Sequence, residues 1–243
     1  IGNVSAGNYQ VIVTDANSCT MSQNINVADI SGPVASVNSV QNVNCFGGSN
    51  GSAALSLTGG TTPFSYSWTC STDNSPSVSN LSAGSYSVIV TDGNNCTSLV
   101  PFTISQPAEL LSSATSTNVN CFSGSTGSAS VVANGGTIPY QYLWTHDLST
   151  NSVANNLSAG NYSAVITDGN GCTASSSVSV NQPAAIIVST TSSPSFCGIN
   201  NGSIDAGVIG GIAPYNYQWA PGNGNTSSYN SLSDGTYTVT VTD

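Results

Sequence analysis

LSAGNYSAVITDGNGC, residues 157–172, is the stretch of sequence that decides the fold. Tyr162, Ala164 and Ile166 alternate with other residues, so the three side chains share one face of a β-strand. The segment that follows, Asp168–Gly171, reads Asp-Gly-Asn-Gly and is typical of a hairpin turn. The stretch therefore predicts a half-buried strand that runs into a tight turn.

The same stretch occurs four times, which indicates an internal repeat. Its glycines are 77, 76 and 75 residues apart (84 − 7, 160 − 84, 235 − 160): Gly7, Gly84, Gly160 and Gly235. A second block has nearly the same period, because its cysteines and tryptophans recur 75 or 76 residues apart: Cys45, Cys121, Cys197, Trp68, Trp144 and Trp219. The chain is therefore built from repeats of about 75 residues.

Each repeat has the pattern of a small β-sandwich. Short alternating segments are separated by Gly-rich turns, and no segment has a helical period. We expect seven short strands in each repeat, with the tryptophan filling the core and the tyrosine after the Gly turn at a corner, as in immunoglobulin-like sandwiches. The predicted fold class is all-β: tandem immunoglobulin-like sandwiches in an extended array, each contacting only its neighbours along the chain.

Prolines at the ends of the repeats suggest the domain boundaries, because proline suits a strand end or a linker. The predicted division is a partial repeat of C-terminal strands at 1–33, complete repeats at 34–107 and 108–183, and a repeat lacking its last strand at 184–243. Both ends carry the Gly-x-Tyr strand. The sequence thus reads as a segment of a longer array.

The composition removes several classes of function. The chain has no Lys or Arg, ten acidic residues and a formal net charge of −10. Nucleic acids and anionic membranes are bound through cations, so neither is an expected partner. No apolar run reaches the ~20 residues of a membrane span, so no membrane insertion is expected. Seven cysteines in a chain rich in Ser, Thr and Asn indicate an oxidising, extracellular compartment.

The repeat resembles a known family. Each complete copy combines Gly-Gly-x-x-Pro-[Phe/Tyr]-x-Tyr-x-Trp with Leu-Ser-x-Gly-x-Tyr and Thr-Asp-x-Asn-x-Cys. One copy carries all of the marker positions: Cys45, Gly51, Gly59, Pro63, Tyr66, Trp68, Leu81, Gly84, Tyr86, Asp92 and Cys96. This is similar to the SprB-type repeat of gliding-motility and cell-surface adhesins of Bacteroidetes, and more loosely to polycystic-kidney-disease-type sandwiches. The resemblance implies long, type IX-secreted filaments or adhesins on the cell surface, and it carries no catalytic residue.

Few residues suggest chemistry, and the sequence offers no cofactor motif. An aspartate recurs at the same position of every copy: Asp15, Asp92, Asp168 and Asp243. Its side chain could be a calcium ligand, or it could form an Asx-type turn by bonding its own backbone. One carboxylate per site provides too few ligands for calcium unless a neighbouring repeat contributes. His146 has no partner that would make it a catalytic base. Cys70, in the equivalent position of another repeat, is read as a small core residue or as an intermolecular bridge.

The other six cysteines allow three disulfide schemes. Within repeats, Cys45 would pair with Cys96 and Cys121 with Cys172; across a linker, Cys96 would pair with Cys121; in the third scheme, Cys45 would pair with Cys172 in the next repeat. Strand topology favours the third scheme, whereas the presence of two cysteines in each repeat favours the first. We expect the within-repeat pairs. In the segment, Cys19, Cys70 and Cys197 are then left unpaired.

Three functions compete. The first is an adhesive or structural array that grips a surface polysaccharide or an abiotic surface. The second is a carbohydrate-binding accessory or spacer module of a secreted enzyme, which needs exposed aromatics; the recurrent phenylalanines outside the core pattern are Phe46, Phe122 and Phe196. The third is an enzyme, which the scarcity of charged residues opposes. We expect an adhesive array and no enzymatic activity.

Overall fold

The structure is a computed structural model that describes residues 2–243, and all regular elements in those residues are β-strands. The strands are β1 (Gly7–Thr14), β2 (Thr20–Val27), β3 (Pro33–Gln41), β4 (Gly51–Gly59), β5 (Ser65–Trp68), β6 (Ser77–Leu81), β7 (Gly84–Thr91), β8 (Thr97–Ile104), β9 (Leu111–Thr117), β10 (Gly127–Asn134), β11 (Gln141–Trp144), β12 (Val153–Leu157), β13 (Gly160–Thr167), β14 (Thr173–Val180), β15 (Ile187–Ser193), β16 (Gly202–Ile209), β17 (Asn216–Ala220), β18 (Ser228–Leu232) and β19 (Thr238–Thr242).

The strands belong to two compact units, a first that ends at Ala108 and a second that runs Glu109–Asp243. In the first unit, β1 and β2 form an antiparallel hairpin, and the next six strands form two three-stranded sheets, β3-β4-β6 and β5-β7-β8. Buried side chains from both sheets make one core. The alternation of burial along the strands places that core between the sheets, as expected for a sandwich.

The second unit contains two further sets of sheets with the same order. One consists of β9-β10-β12 and β11-β13-β14, and the other of β15-β16-β18 and β17-β19. All pairings are antiparallel. We call the four successive copies repeats one to four: the β1–β2 hairpin, β3–β8, β9–β14 and β15–β19. The all-β, immunoglobulin-like fold predicted from the sequence is thus the observed one.

The strand count differs from the sequence prediction. Repeats two and three have six strands, three in each sheet, rather than seven. The segments between the middle strand and the next strand, 69–76 and 145–152, form loops instead of adding a strand. These segments are rich in Ser, Thr, Asp and Asn, whose side chains bond nearby backbone and therefore favour turns.

The tryptophans of repeats two, three and four are buried in the core, as predicted. Trp68, Trp144 and Trp219 are 5%, 0% and 1% exposed. In each of these three repeats the indole N–H donates a 2.9 Å hydrogen bond to the backbone carbonyl seven residues later, in the loop before the next strand. Because a buried indole N–H needs an acceptor, this bond fixes both the ring and the loop.

A third ring lies between the tryptophan and the tyrosine of the Gly-x-Tyr segment. Repeats two, three and four supply this ring from different places: Phe102 in β8, His146 after β11 and Tyr229 in β18. The centroid distances to the tryptophan are 5.7, 6.2 and 5.6 Å, and those to the tyrosine are 5.6, 5.0 and 6.0 Å. The ring contacts between each tryptophan and its tyrosine thus pass through this third residue.

The tyrosine itself forms a corner. In all four repeats its hydroxyl donates to the backbone carbonyl of the serine four residues earlier, at 2.7–3.3 Å. In repeat two, Tyr86 near the start of β7 bonds Ser82, just after β6, and so fixes the crossing from one sheet to the other. This is the tyrosine corner of immunoglobulin-like sandwiches, at the position that the sequence predicted.

Candidate functional site: the aspartate turn, the cysteines and the phenylalanine loop

The recurrent aspartate organises the hairpin turn between the last two strands of a repeat. In repeat two, Asp92 Oδ1 accepts hydrogen bonds from the backbone N–H groups of Asn94 (2.9 Å) and Cys96 (2.8 Å). Asp168 and Asp15 make the equivalent bonds in their own turns. This is the Asx-type turn, one of the two readings of the sequence.

The second carboxylate oxygen ties this turn to the Gly-Gly-Thr turn 31 residues earlier. Asp92 Oδ2 accepts the backbone N–H of Thr61 at 3.0 Å, and Asp168 does the same for Thr137 at 2.9 Å. The amide of Asn94 also donates to Thr61 Oγ1 at 2.9 Å. This docking of two turns was not predicted from the sequence, although Gly-Gly-Thr and Thr-Asp-Gly-Asn recur together in repeats two and three.

These bonds explain why the carboxylates tolerate burial. Asp92 and Asp168 are 4% and 5% exposed. Burial is the largest influence on each pKa and raises it, but the backbone N–H donors together outweigh it, so the pKa of both carboxyls lies below the ordinary value. Both groups are therefore charged at neutral pH. Their oxygens face backbone donors, and within residues 2–243 no three His, Cys, Asp or Glu side chains lie close enough to share a metal ion.

The cysteines do not follow the within-repeat pairing that we expected. Cys45 and Cys172 are disulfide-bonded. The other five are free thiols: Cys19, Cys70, Cys96, Cys121 and Cys197. Neither the Cys45–Cys96 pair nor the Cys121–Cys172 pair is formed, and the Cys96–Cys121 pair across the linker is absent too.

The sandwich geometry explains why the within-repeat disulfides do not form. The loop that carries Cys45 lies beyond the far end of β8, where Val43 N–H donates to the carbonyl of Ser105 at 2.9 Å. Cys96 lies directly before the start of β8. Eight residues of strand separate the two ends by about 25 Å, whereas a disulfide needs Cα atoms within about 7 Å. In repeat three, Val119 N–H bonds the carbonyl of Asn181 in the same way.

Each cysteine loop also presents an exposed phenylalanine. Phe46, Phe122 and Phe196 are 51%, 52% and 62% exposed. The loops are held by internal bonds, including Gly48 N–H to the carbonyl of Cys45 at 3.0 Å. In repeats two and three, a glutamine after the last strand also accepts a loop N–H, at 2.8 and 2.9 Å. The ring thus extends from a well-bonded loop, and all three recurrent phenylalanines are exposed aromatics.

The remaining candidates have structural roles. His146 is the third ring of repeat three, and its Nε2 lies 3.4 Å from Asp147 Oδ2. The pKa of Asp147 is lowered mainly by a backbone hydrogen bond from Ser149. Cys70 packs against the core of repeat two, and burial raises the pKa of its thiol. Cys70 therefore behaves as a small core residue, which is the first of the two interpretations of the sequence.

Within residues 2–243, no helix is long and apolar enough to cross a membrane. A search of curated proteins finds no significant match to the chain. Three solved structures illustrate its similarities: the N-terminal eight Ig domains of Down Syndrome Cell Adhesion Molecule (DSCAM), Sidekick-1 immunoglobulin domains 1–5, and surface layer protein SbsC, domains 1–6. Identities are 11%, 14% and 13%, and TM-scores are 0.26, 0.36 and 0.29.

The alignments cover 88%, 92% and 98% of this chain but only 44%, 56% and 43% of those structures. The chain therefore spans about half the length of these three structures. A family model described as the SprB repeat matches three times, at residues 37–72, 113–147 and 189–224. These matches begin 76 residues apart, which is the period of the sandwiches, so three segments of the chain are similar to the SprB repeat.

Proposed function

We propose that this chain is a structural and adhesive segment of a large bacterial cell-surface adhesin, without enzymatic activity. The observation that carries the proposal is the threefold SprB repeat built as an immunoglobulin-like sandwich. The SprB match supports an extracellular, adhesin-like module, and the disulfide-bonded cysteines fit an oxidising compartment. The link to gliding motility in Bacteroidetes belongs to the same proposal.

The proposed adhesive element is the phenylalanine loop. An exposed aromatic ring surrounded by uncharged polar groups suits the apolar face of a neutral sugar ring or an apolar abiotic surface, because neither partner carries charge that would need an ion pair. The chain has no Lys or Arg to bind an anionic surface. With one such ring in each of three repeats, weak contacts add up to avidity when several engage at once.

The test is binding of the chain to neutral polysaccharides and to hydrophobic and hydrophilic beads. A triple variant, Phe46→Ser, Phe122→Ser and Phe196→Ser, should lose most of its binding. A matched control replaces one equally exposed apolar residue in each repeat by serine: Leu99, Val132 and Ile209, which are 66%, 62% and 66% exposed. The control variant should bind like the unmodified chain. Equal loss in both variants would remove the phenylalanine loops from the proposal.

The second candidate is a carbohydrate-binding accessory module of a secreted enzyme, which the exposed phenylalanines also favour. The two candidates differ in selectivity. An accessory module should bind one polysaccharide and ignore bare beads, whereas an adhesive array should bind several neutral surfaces. If the chain binds neither polysaccharides nor beads, it is a passive spacer.

A further inference from the structure

Repeat two has a groove on the outer face of its β3-β4-β6 sheet. Its volume is about 340 Å³, which lies in the range of small-molecule sites. The three strands contribute four serines to its lining: Ser39 from β3, Ser52 from β4, and Ser77 and Ser79 from β6. Within residues 2–243, no hydrogen bond uses the hydroxyls of these four serines. Each hydroxyl is therefore available both to donate to a ligand and to accept from it.

The other repeats use the equivalent place for bonds between their own side chains. Ala54 of the middle strand lines the groove and is paired with residues of both neighbouring strands. In repeat three the equivalent residue is Ser130, whose hydroxyl is bonded to the hydroxyl of Thr115 at 2.8 Å. In repeat four it is Asp205, whose carboxylate accepts a hydrogen bond from Ser228 Oγ. Ala54 has no polar group, so its neighbours in repeat two keep their hydroxyls for a ligand.

A carboxylate also lines the groove. Asp73 belongs to the loop between β5 and β6. Its Oδ2 accepts a hydrogen bond from Ser71 Oγ at 2.9 Å, whereas its Oδ1 has no hydrogen-bond partner within residues 2–243. The loop itself is fixed, because the carbonyl of Ser75 accepts the indole N–H of the buried Trp68 at 2.9 Å. The loop therefore holds an acceptor oxygen in place beside the four serines.

These groups suit a neutral ligand that carries several hydroxyls. Serine and sugar hydroxyls match, because each can donate one hydrogen bond and accept others. A carboxylate accepts strong hydrogen bonds from hydroxyl groups and repels anions. The methyl group of Ala54 offers an apolar contact to the C–H groups of a sugar ring. Calcium is a poorer fit, because a single carboxylate provides too few ligands for it.

We propose that this groove of repeat two binds one neutral sugar ring of a polysaccharide. Two adjacent ring hydroxyls donate to the carboxylate of Asp73, and the remaining hydroxyls exchange hydrogen bonds with the serines. The groove contains none of the exposed phenylalanines, so the proposal does not depend on the adhesive role given to them. Because the groove is open and has no aromatic ring, the dissociation constant for one sugar should be millimolar. Such weak contacts become effective when many act together.

The test is an NMR titration of the whole, isotope-labelled chain with methyl glycosides of glucose, mannose, galactose and xylose, up to tens of millimolar. At least one glycoside should shift the amide resonances of β4, β6 and the loop 69–76 in a saturable way. Ala54→Leu fills the groove and Asp73→Asn removes its charge, so each should weaken binding about tenfold or more. The matched controls are Thr58→Leu, on the same face of β4 outside the groove, and Asp147→Asn, in the equivalent loop of repeat three. Both controls should bind like the unmodified chain.

Four results would overturn the proposal. One is the absence of saturable shifts with every neutral glycoside. Another is binding by the two groove variants that equals binding by their controls. The third is binding of glucosamine alone that weakens as salt is added, which would identify the groove as a cation site. The fourth is a set of shifts confined to the phenylalanine loops, which would exclude the groove but support the adhesive role of those loops.

Discussion

Replacing Trp144 by alanine tests whether each repeat depends on its own core. The Trp144 side chain is 0% exposed, and its indole N–H donates a 2.9 Å bond to the carbonyl of Asn151. Truncating a buried tryptophan costs about 3–5 kcal/mol, and the lost hydrogen bond adds about 1 kcal/mol. At roughly 0.05–0.15 kcal/mol per residue, a 75-residue repeat has about 4–11 kcal/mol of stability. The change should therefore remove a large part of the stability of repeat three.

The chain provides its own reporters for this experiment. It contains three tryptophans, one in each of repeats two, three and four. In the variant, urea unfolding followed by fluorescence therefore reports only on Trp68 and Trp219, and their transitions should keep their midpoints, because an array of repeats is nearly one-dimensional. Amide hydrogen exchange of β9–β14 should accelerate strongly. The control is Leu143→Ala, at the preceding, 41% exposed position, which should cost under about 1 kcal/mol.

Two results would refute this reasoning. If hydrogen exchange in repeat three stays unchanged, Trp144 does not hold the core together. If the Trp68 and Trp219 transitions both shift by as much as repeat three, the repeats unfold as one cooperative unit, and the local view of stability is wrong.

Three further predictions concern the corner, the aspartate turn and the cysteines. Replacing Tyr162 by phenylalanine removes the corner hydrogen bond and should lower the free energy of unfolding of repeat three by about 1 kcal/mol in urea titrations. Folding lowers the pKa of Asp168, so its ionised carboxylate adds to the free energy of unfolding. This contribution is complete above the unfolded pKa of about 3.9 and is lost as the pH falls through the lower folded pKa. The acid-induced drop in the urea midpoint should therefore be smaller in Asp168→Asn than in the unmodified chain. Peptide mapping without reduction should recover Cys45 and Cys172 only in disulfide-linked peptides and the other five cysteines as alkylated thiols.

Each of these has its own control. For the corner, Tyr142→Phe removes a hydroxyl from a partly buried position in the same repeat and should leave the midpoint in place; an equal effect of both changes would deny the corner bond its role. For the turn, Asp147→Asn changes an exposed carboxylate whose pKa is also lowered. If Asp147→Asn reduces the acid-induced drop in the urea midpoint as much as Asp168→Asn does, turn docking does not matter. Alkylation of Cys45 before reduction would contradict the disulfide assignment.

Much of the fold was predictable because the alternation of side chains along each strand recurs in every copy of the repeat. A tryptophan on an alternating strand, repeated at one period, can only be a core position, and the Gly-x-Tyr segment marks the corner without any knowledge of its partner. The Asx turn was also within reach, because its donors lie two and four residues from the aspartate. These features depend on contacts that are local in sequence or repeated identically.

The features that escaped prediction depend on contacts between distant segments. The third ring comes from Phe102, His146 or Tyr229, three positions with no common place in the repeat, so no pattern reveals it. The disulfide preference went wrong because cysteine counting ignores distance, whereas the positions of both loops relative to β8 decide the matter. The docking of two turns was missed because its partners lie 31 residues apart.

The groups that stabilise the charge of the buried aspartates determine how the stability of the repeats depends on salt concentration. Their partners are backbone N–H groups, and in residues 2–243 the one close approach of a basic to an acidic side chain is that of His146 to Asp147. Dissolved salt screens charges on side chains but leaves buried backbone dipoles largely untouched. We therefore expect added sodium chloride to do little beyond relieving the mutual repulsion of the acidic groups. The free energy of unfolding of these repeats should then be nearly the same in fresh, brackish and sea water.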